Sequence, residues 1–545
     1  MSSIRLNRWN NSGGLPGLLC FVFLALLPII IFRDFTPSNE LRYLSIADES
    51  LASGRWWAFT NHGVPYADKP PLYLWCIMVG KYLFGTHFMW FYSLFSIIPA
   101  FVIAIIMDRW ASLYLSPEFR KAAVLMLFSC GLYAGMLFTL RMDMMMTMFI
   151  VLALYQFSKL IASEEKPSVS SRLLFALWIF LAVFSKGPMG ILIPLVATAV
   201  WLLLKRKFSL FSRAWGWQTW SLFVILCAGW FGAVYAEGGT EYLDNLLVHQ
   251  TVGRAVNSFH HKRPLWYYLV SLTYTLQPWT FIIFGAIVFS VMKFKKDLVI
   301  FGQFFLVIIL SSFVLLSLIS SKLQVYMLPV YPFMVYLAIL VCSKHKDSGL
   351  VALGIAVPTA ILAVAGVGSA AVWLNLPYDL WKFWLPAAAV VLIVGTTMTF
   401  RWLYVRRQLS LAISSLSATV LLLVFVAGFA IEDFNADLGY GKLAEEAVIQ
   451  AQSTPDAKII TWKIDRPENI DVYLKGIPFQ IEDVSDSVSS VSLRSFPAVV
   501  MTRAKYSCEL PFVKKKTKVG RNFVVLVCDT ANTVPDNLSN VSSSR

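Results

Sequence analysis

Charge is scarce in this chain. Only 14% of its 545 residues are Asp, Glu, Lys or Arg, against 58% hydrophobic, and the mean hydropathy is +0.66. That balance excludes a soluble globule. Histidine is also rare, six in all, and the seven cysteines form no Cys-x-x-Cys pair. Neither His-Glu-x-x-His, nor a Walker phosphate loop, nor Gly-x-Gly-x-x-Gly occurs, which removes the usual zinc-hydrolase, nucleotide triphosphatase and dinucleotide-binding readings. Cys20, Cys76, Cys130, Cys227 and Cys342 lie in apolar runs and are packing residues. Cys508 and Cys528 stand apart, and an oxidising compartment would allow them to pair. The net charge of +15 comes from basic residues scattered over separate loops rather than gathered in a stripe, so no nucleic acid is implied.

What the chain has in abundance is long apolar runs. A membrane span needs about 20 mostly apolar residues, and about thirteen segments qualify: 15-33, 87-107, 121-140, 144-162, 172-185, 188-204, 218-236, 273-292, 299-319, 323-343, 349-374, 381-400 and 409-431. The first follows Arg5 and Arg8 but has no evident small-residue cleavage site, so it reads as a retained helix. The run Pro70 to Phe84 is short and carries Lys81 beside Tyr82, which places it in the interface. With the N-terminus inside, the short loops holding Arg109/Arg120, Lys205/Arg206/Lys207, Lys293/Lys295/Lys296 and Arg401/Arg406/Arg407 all fall on the inner face, the positive-inside signature.

The long segments then fall outside: a first loop over 34-86, a second over 237-273, and the C-terminal tail. Long loops on one face mark where function is built. The expected organisation is an α-helical polytopic membrane domain over 1-433, a soluble α/β domain over 434-530 on the outer face, and a Ser/Asn-rich tail over 531-545 with a disordered composition. In the α/β domain Gly441 to Gln452 is helix-like, and Lys458-Trp462, Pro478-Glu482, Ala498-Thr502 and Asn522-Val527 read as strands.

The polar residues that could carry chemistry gather on the same outer side. In the first loop, helical spacing puts Tyr43, Ala47 and Leu51 on one stripe with Asn39 and Glu40 at its N-terminal end. Taken alone, that is an amphipathic interfacial helix with a cap and an acid in its first turn. Further on, Tyr66-Ala-Asp68-Lys69-Pro-Pro sets an acid beside a base. It is either an exposed salt bridge of little worth or a carboxylate for a divalent cation next to an ammonium for a phosphate. Arg141-Met-Asp143, Ser185-Lys186-Gly187 and Lys322-x-x-x-Tyr326 sit at span ends, where charge either snorkels or serves function. The second loop adds His249 and Arg254, candidates for metal and phosphate.

These motifs, in this order, resemble the integral-membrane GT-C glycosyltransferases. They are Glu-x-Arg-Tyr in a first outer loop, Asp-Lys-Pro before an interfacial helix, Asp opening the fourth span, Lys-Gly-Pro between spans five and six, His…Arg then Pro-x-Trp-Tyr-Tyr, and Lys-x-x-x-Tyr-x-Leu-Pro. The branch that looks most similar is the aminoarabinose lipid A transferases and the related protein O-mannosyltransferase-like enzymes, over roughly 15 to 435. The resemblance implies the GT-C fold and an inverting transfer from a polyprenyl (undecaprenyl) phosphate sugar to an acceptor such as lipid A or another envelope glycolipid. It places the enzyme in the bacterial inner (plasma) membrane with its active site on the periplasmic face. It implies Lys69, Lys186, Arg254 and Arg42 as phosphate-binding cations, with Tyr326 and Tyr66 beside the donor. It assigns Asp143, Glu40 and Asn39 to the catalytic set, and Asp68 with His249 to a divalent metal ion, zinc or another. One departure stands out: the family's first loop usually reads Asp-Glu, and this chain reads Asn39-Glu40. An amide takes no proton at neutral pH, so any base there passes to Glu40 or is unnecessary, as it would be for a phosphate acceptor. The reading from a different class is a lipid-linked sugar transporter or flippase, which would place its polar groups near the bilayer midplane.

Overall fold

The computed structural model describes residues 14–247, 263–294, 298–377, 382–474, 476–482, 497–508, 510 and 512–528. Among them, ten helices are long and apolar enough to cross a membrane, from Leu15–Phe32 to Leu409–Leu438, so the chain is a multi-pass membrane protein. The three other expected spans are helical but irregular. Residues 121-140 form two helices, Pro117–Phe128 and Gly131–Leu137, bent by 71°, while Met189–Leu204 and Thr280–Met292 are shorter apolar helices. The 273-292 run breaks because Pro278 has no N–H to donate, leaving Tyr267–Thr275 as a separate helix. The two breaks satisfy each other. Gly131 N–H donates to the Gln277 carbonyl (2.8 Å), and Trp279 Nε1 donates to Ser129 Oγ (2.9 Å). Irregular backbone is tolerated at membrane depth only where its polar groups are buried and paired in this way. The run Pro70 to Phe84, expected in the interface, forms the apolar helix Leu72–Phe84.

The chain divides into two compact units, residues 1–32 with 50–430 and residues 33–49 with 431–545. The soluble unit therefore takes in the start of the first loop, which the sequence assigns to the membrane domain. The reason is a set of long-range polar bonds around Asp34. Its carboxylate accepts from the Tyr473 hydroxyl and from the Gly441 N–H (2.9 Å), and Asn435 Oδ1 accepts from its backbone N–H (3.0 Å). Ser45 Oγ donates to Asp471 (2.8 Å). Gly439 lies so close to Asp34 that a Cβ there would clash with the carboxylate and force it to shift. Burial pushes the Asp34 carboxyl above its ordinary value, against the opposing pull of the Tyr473, Gly441 and Phe35 donors.

With β1 (Thr60–Asn61) and β2 (Val64–Pro65) forming a small hairpin in the first loop, the sheet of the soluble unit comprises β3 (Lys458–Trp462), β4 (Phe479–Glu482), β5 (Ala498–Arg503), β6 (Val513–Val519) and β7 (Asn522–Val527). The order is β4-β3-β5-β7-β6, parallel across β4, β3 and β5 and antiparallel beyond. The helix Gly441–Gln452 buries Leu443, Ala444 and Ala447. Strand β6 is invisible to hydropathy because it reads Val-Lys-Lys-Lys-Thr-Lys-Val; it is an edge strand, and edges favour lysine. Cys508 and Cys528 are unpaired.

Candidate active site

Three separate stretches of the membrane unit bring a charged cluster together. Asp143 opens the Asp143–Ala162 helix with its side chain 1% exposed. Lys186 closes the Val169–Lys186 helix and donates to Asp143 Oδ1, and Arg141 Nε donates to Oδ2 at 3.0 Å. Gly187, at φ 107°, ends the helix just past the lysine, in a conformation that L side chains rarely adopt. Tyr326, from the 3₁₀ turn Gln324–Val330, lies under Lys186 with its ring centroid 4.8 Å from Nζ. One acid between two bases leaves the cluster a net positive charge in a largely buried place.

The first outer loop reaches this helix end through packing. Ala58 and Ala67 share an apolar cluster with Phe180, Val183 and Phe184 of the Lys186 helix and with Trp230, Val234 and Tyr242 of the Trp217–Asp244 helix. Trp75 stands edge-on to Phe184 (5.4 Å) and to Trp57 (4.8 Å), and its Nε1 donates to the Trp56 carbonyl (2.7 Å). Two further side chains hold the loop. Glu237 accepts the consecutive backbone N–H groups of Trp56, Trp57 and Ala58 at 2.9–3.2 Å. The Tyr242 hydroxyl accepts from Phe59 N–H (3.1 Å) and donates to the Tyr66 carbonyl (2.6 Å). Tyr66 is buried, and Asp68 and Lys69 beside it are half-buried, with Lys69 Nζ donating to the Asp68 carbonyl at 3.2 Å. Asp68 and Lys69 thus follow directly on a loop seated against the last turn of the helix that presents Lys186.

The crystal structure of ArnT from Cupriavidus metallidurans bound to undecaprenyl phosphate matches this architecture with a TM-score of 0.72 at 18% identity, covering 94% of this chain and 98% of that one. The chain has the GT-C fold. The apo structure of the same ArnT matches at a TM-score of 0.70. In sequence, this GT-C chain is 25% identical over 483 residues to an undecaprenyl phosphate-alpha-4-amino-4-deoxy-L-arabinose arabinosyl transferase of Shewanella sediminis, covering 84% of this chain and 85% of that one. A protein of the same name from Erwinia tasmaniensis is 24% identical over 418 residues, 73% of this chain and 68% of that one. No family model matches the chain.

Within the GT-C membrane unit the structure joins Asp143, Lys186 and Tyr326 directly, and Tyr66, Asp68 and Lys69 lie on the adjoining loop. Asn39, Glu40 and Arg42 belong to the other unit. There Glu40 is 1% exposed and accepts from Arg33 at 2.6 and 2.9 Å, and from the Thr36 N–H and hydroxyl at 2.8 and 2.9 Å. Asn39 gives its carbonyl to Tyr43 N–H (3.2 Å), and Arg42 donates to the Ser38 carbonyl (3.2 Å). His249 and Arg254 lie outside the described residues. Sequence reasoning passed over Arg33, Asp34, Glu237 and Tyr242. Glu237 carries a signal in retrospect, a lone acid at the end of an apolar span followed by Gly238-Gly239.

The sequence pairs Asp68 with His249 as metal ligands, and His249 lies outside the described residues; among the described residues no three His, Cys, Asp or Glu side chains converge.

Proposed function

We propose that this chain moves a 4-amino-4-deoxy-L-arabinose-type sugar from undecaprenyl phosphate to lipid A or another envelope glycolipid, on the periplasmic face of the inner membrane. It is a polyprenyl-phosphate-sugar-dependent glycosyltransferase. The observation that carries the reading is the net-positive Asp143–Lys186–Arg141 cluster over Tyr326, set in a fold shared with a lipid-phosphate-binding ArnT. Breaking the bond between sugar and phosphate leaves charge on the departing phosphate, and a fixed, partly dry cation stabilises that charge as it develops. Lys186 is pre-oriented for this by Asp143, and Lys69 comes in on the loop. Arg254 belongs to the phosphate-binding set in this proposal, with Tyr66 beside the donor.

The acceptor follows from what Glu40 can do. Both its oxygens are engaged by Arg33 and Thr36, and Asn39 cannot accept a proton. That favours a nucleophile that arrives ionised, as a phosphate group does, over a serine or sugar hydroxyl. The protein O-mannosyltransferase and transporter readings are not favoured.

The test is transfer from a labelled undecaprenyl-phosphate sugar in vesicles exposing the outer face. Label is expected to move to a phosphorylated glycolipid in the wild type and to stay on the donor in Lys69→Ala expressed at the same level. Donor that crosses the bilayer unchanged would make this a transporter, and wild-type turnover by Lys69→Ala would remove that lysine from the site.

Ion binding by Asp68 with His249 is a separate proposal, resting on residue type alone. Elemental analysis of purified protein is expected to find a divalent metal that Asp68→Ala loses; equal content in both proteins counts against it.

A further inference from the structure

The soluble unit carries a one-sided distribution of charge. From 503 to 521 seven basic residues stand against one acid, Glu509. The helix Gly441–Gln452 lies on one face of the sheet, where Gln450 bonds Thr517 (3.0 Å) and Glu446 meets Lys515 (3.8 Å). The alternate residues of β6 point the other way: Lys518 is paired with Phe523, and Lys516 holds its Nζ 4.6 Å from that ring. On the same side, Lys463 Nζ sits 4.7 Å from both the Trp462 and Tyr506 rings, and Lys505 is 5.5 Å from Tyr506. Trp462 belongs with Val525 and Val527 to the apolar layer on this face, and Tyr506 and Phe523 pack against that layer. Among the described residues none of Lys463, Lys505, Lys516 and Lys518 joins an ion pair.

We infer that this lysine face of the soluble unit docks on anionic phospholipid headgroups of the membrane that the rest of the chain spans. Charge complementarity carries the choice: four lysines on one face of a unit tethered to membrane spans are attracted to an anionic surface that comes within a Debye length. The unit is joined to spans at two points, after Leu15–Phe32 and within Leu409–Leu438, which keeps its concentration near that surface high. The ammoniums lie 4.6–5.5 Å from the Trp462, Tyr506 and Phe523 rings, and long basic side chains set beside aromatic groups suit an interfacial surface. Protection of a bare edge strand would account for lysines on β6. It does not account for Lys463 and Lys505, which come from other segments.

The experiment uses the full-length protein in nanodiscs, zwitterionic or supplemented with phosphatidylglycerol, and reads amide hydrogen exchange along Val513–Val519. Exchange is expected to slow roughly tenfold in the anionic discs, and the slowing to vanish at high salt as screening shortens the reach of the charges. Lys463→Gln/Lys505→Gln/Lys516→Gln/Lys518→Gln should abolish it, and the four-arginine counterpart should keep it. Lys515→Gln, on the helix-covered face, should change nothing. The salt titration on wild type stands even if the glutamine variant fails to fold. Equal exchange in both discs would overturn the inference, as would slowing that appears only when a phosphorylated glycolipid is added.

Discussion

Replacing Asp143 with alanine is expected to lower transfer by about 10²–10³-fold, or ~3–4 kcal/mol of barrier, the scale seen when a preorganised charge is lost from a reaction site. The side chain is almost wholly buried, and both its oxygens are occupied, one by Lys186 and one by Arg141. Without it two cations face each other with no acid between them. Lys186 is then no longer held in place by an acid, and the phosphate loses its partner. The loss should fall on turnover more than on donor KM, because the charge being stabilised grows only as the bond breaks. Asp143→Ala combined with Lys186→Ala should cost little more than either alone, since the two act as a unit. Wild-type turnover by Asp143→Ala, measured in the vesicle assay with expression matched, would remove the cluster from the mechanism.

Glu40→Ala should act in a different way. Arg33 and Glu40 form a buried pair, 8% and 1% exposed, with Thr36 completing the acid's bonds. Leaving Arg33 buried without its partner costs about 3–5 kcal/mol. The soluble unit is therefore expected to open at lower denaturant, seen as faster proteolysis of that unit in the intact protein. The companion variant, Asn39→Asp, separates structure from chemistry. If the acceptor arrives as a phosphate anion, restoring a carboxylate next to Glu40 leaves turnover unchanged; a marked gain would show that the chain lacks a base it needs.

Most of the membrane unit was legible from residue order. Spans announce themselves by length and hydropathy, and Asp143 and Lys186 were conspicuous because charge at a span end is costly. What no local pattern reveals is who pairs with whom. Arg141 stands out only as a neighbour of Asp143, Tyr326 is set beside the donor by the resemblance alone, and the cation–ring contact exists because the end of the Lys186 helix meets the 3₁₀ turn Gln324–Val330. Asp34 is the stronger case: its partners Gly441 and Tyr473 lie more than four hundred residues away, and an aspartate after a span looks like any loop acid. Strand β6 was missed for the opposite reason, since an edge lined with lysine has no apolar alternation to read.

The Asp34 knot also fixes an order of events. Chains fold as they are made, N-terminal parts first. Residues 33–49 emerge just after the first helix, yet Gly441 and Tyr473 are synthesised only after the last span has been laid down. Until then the Asp34 carboxylate has the neighbouring Phe35 N–H but neither of its long-range donors, Gly441 and Tyr473. The soluble unit is thus sealed last, by a piece of chain made almost first, and residues 431–545 produced alone would lack the group that Gly439, Gly441 and Tyr473 are shaped around.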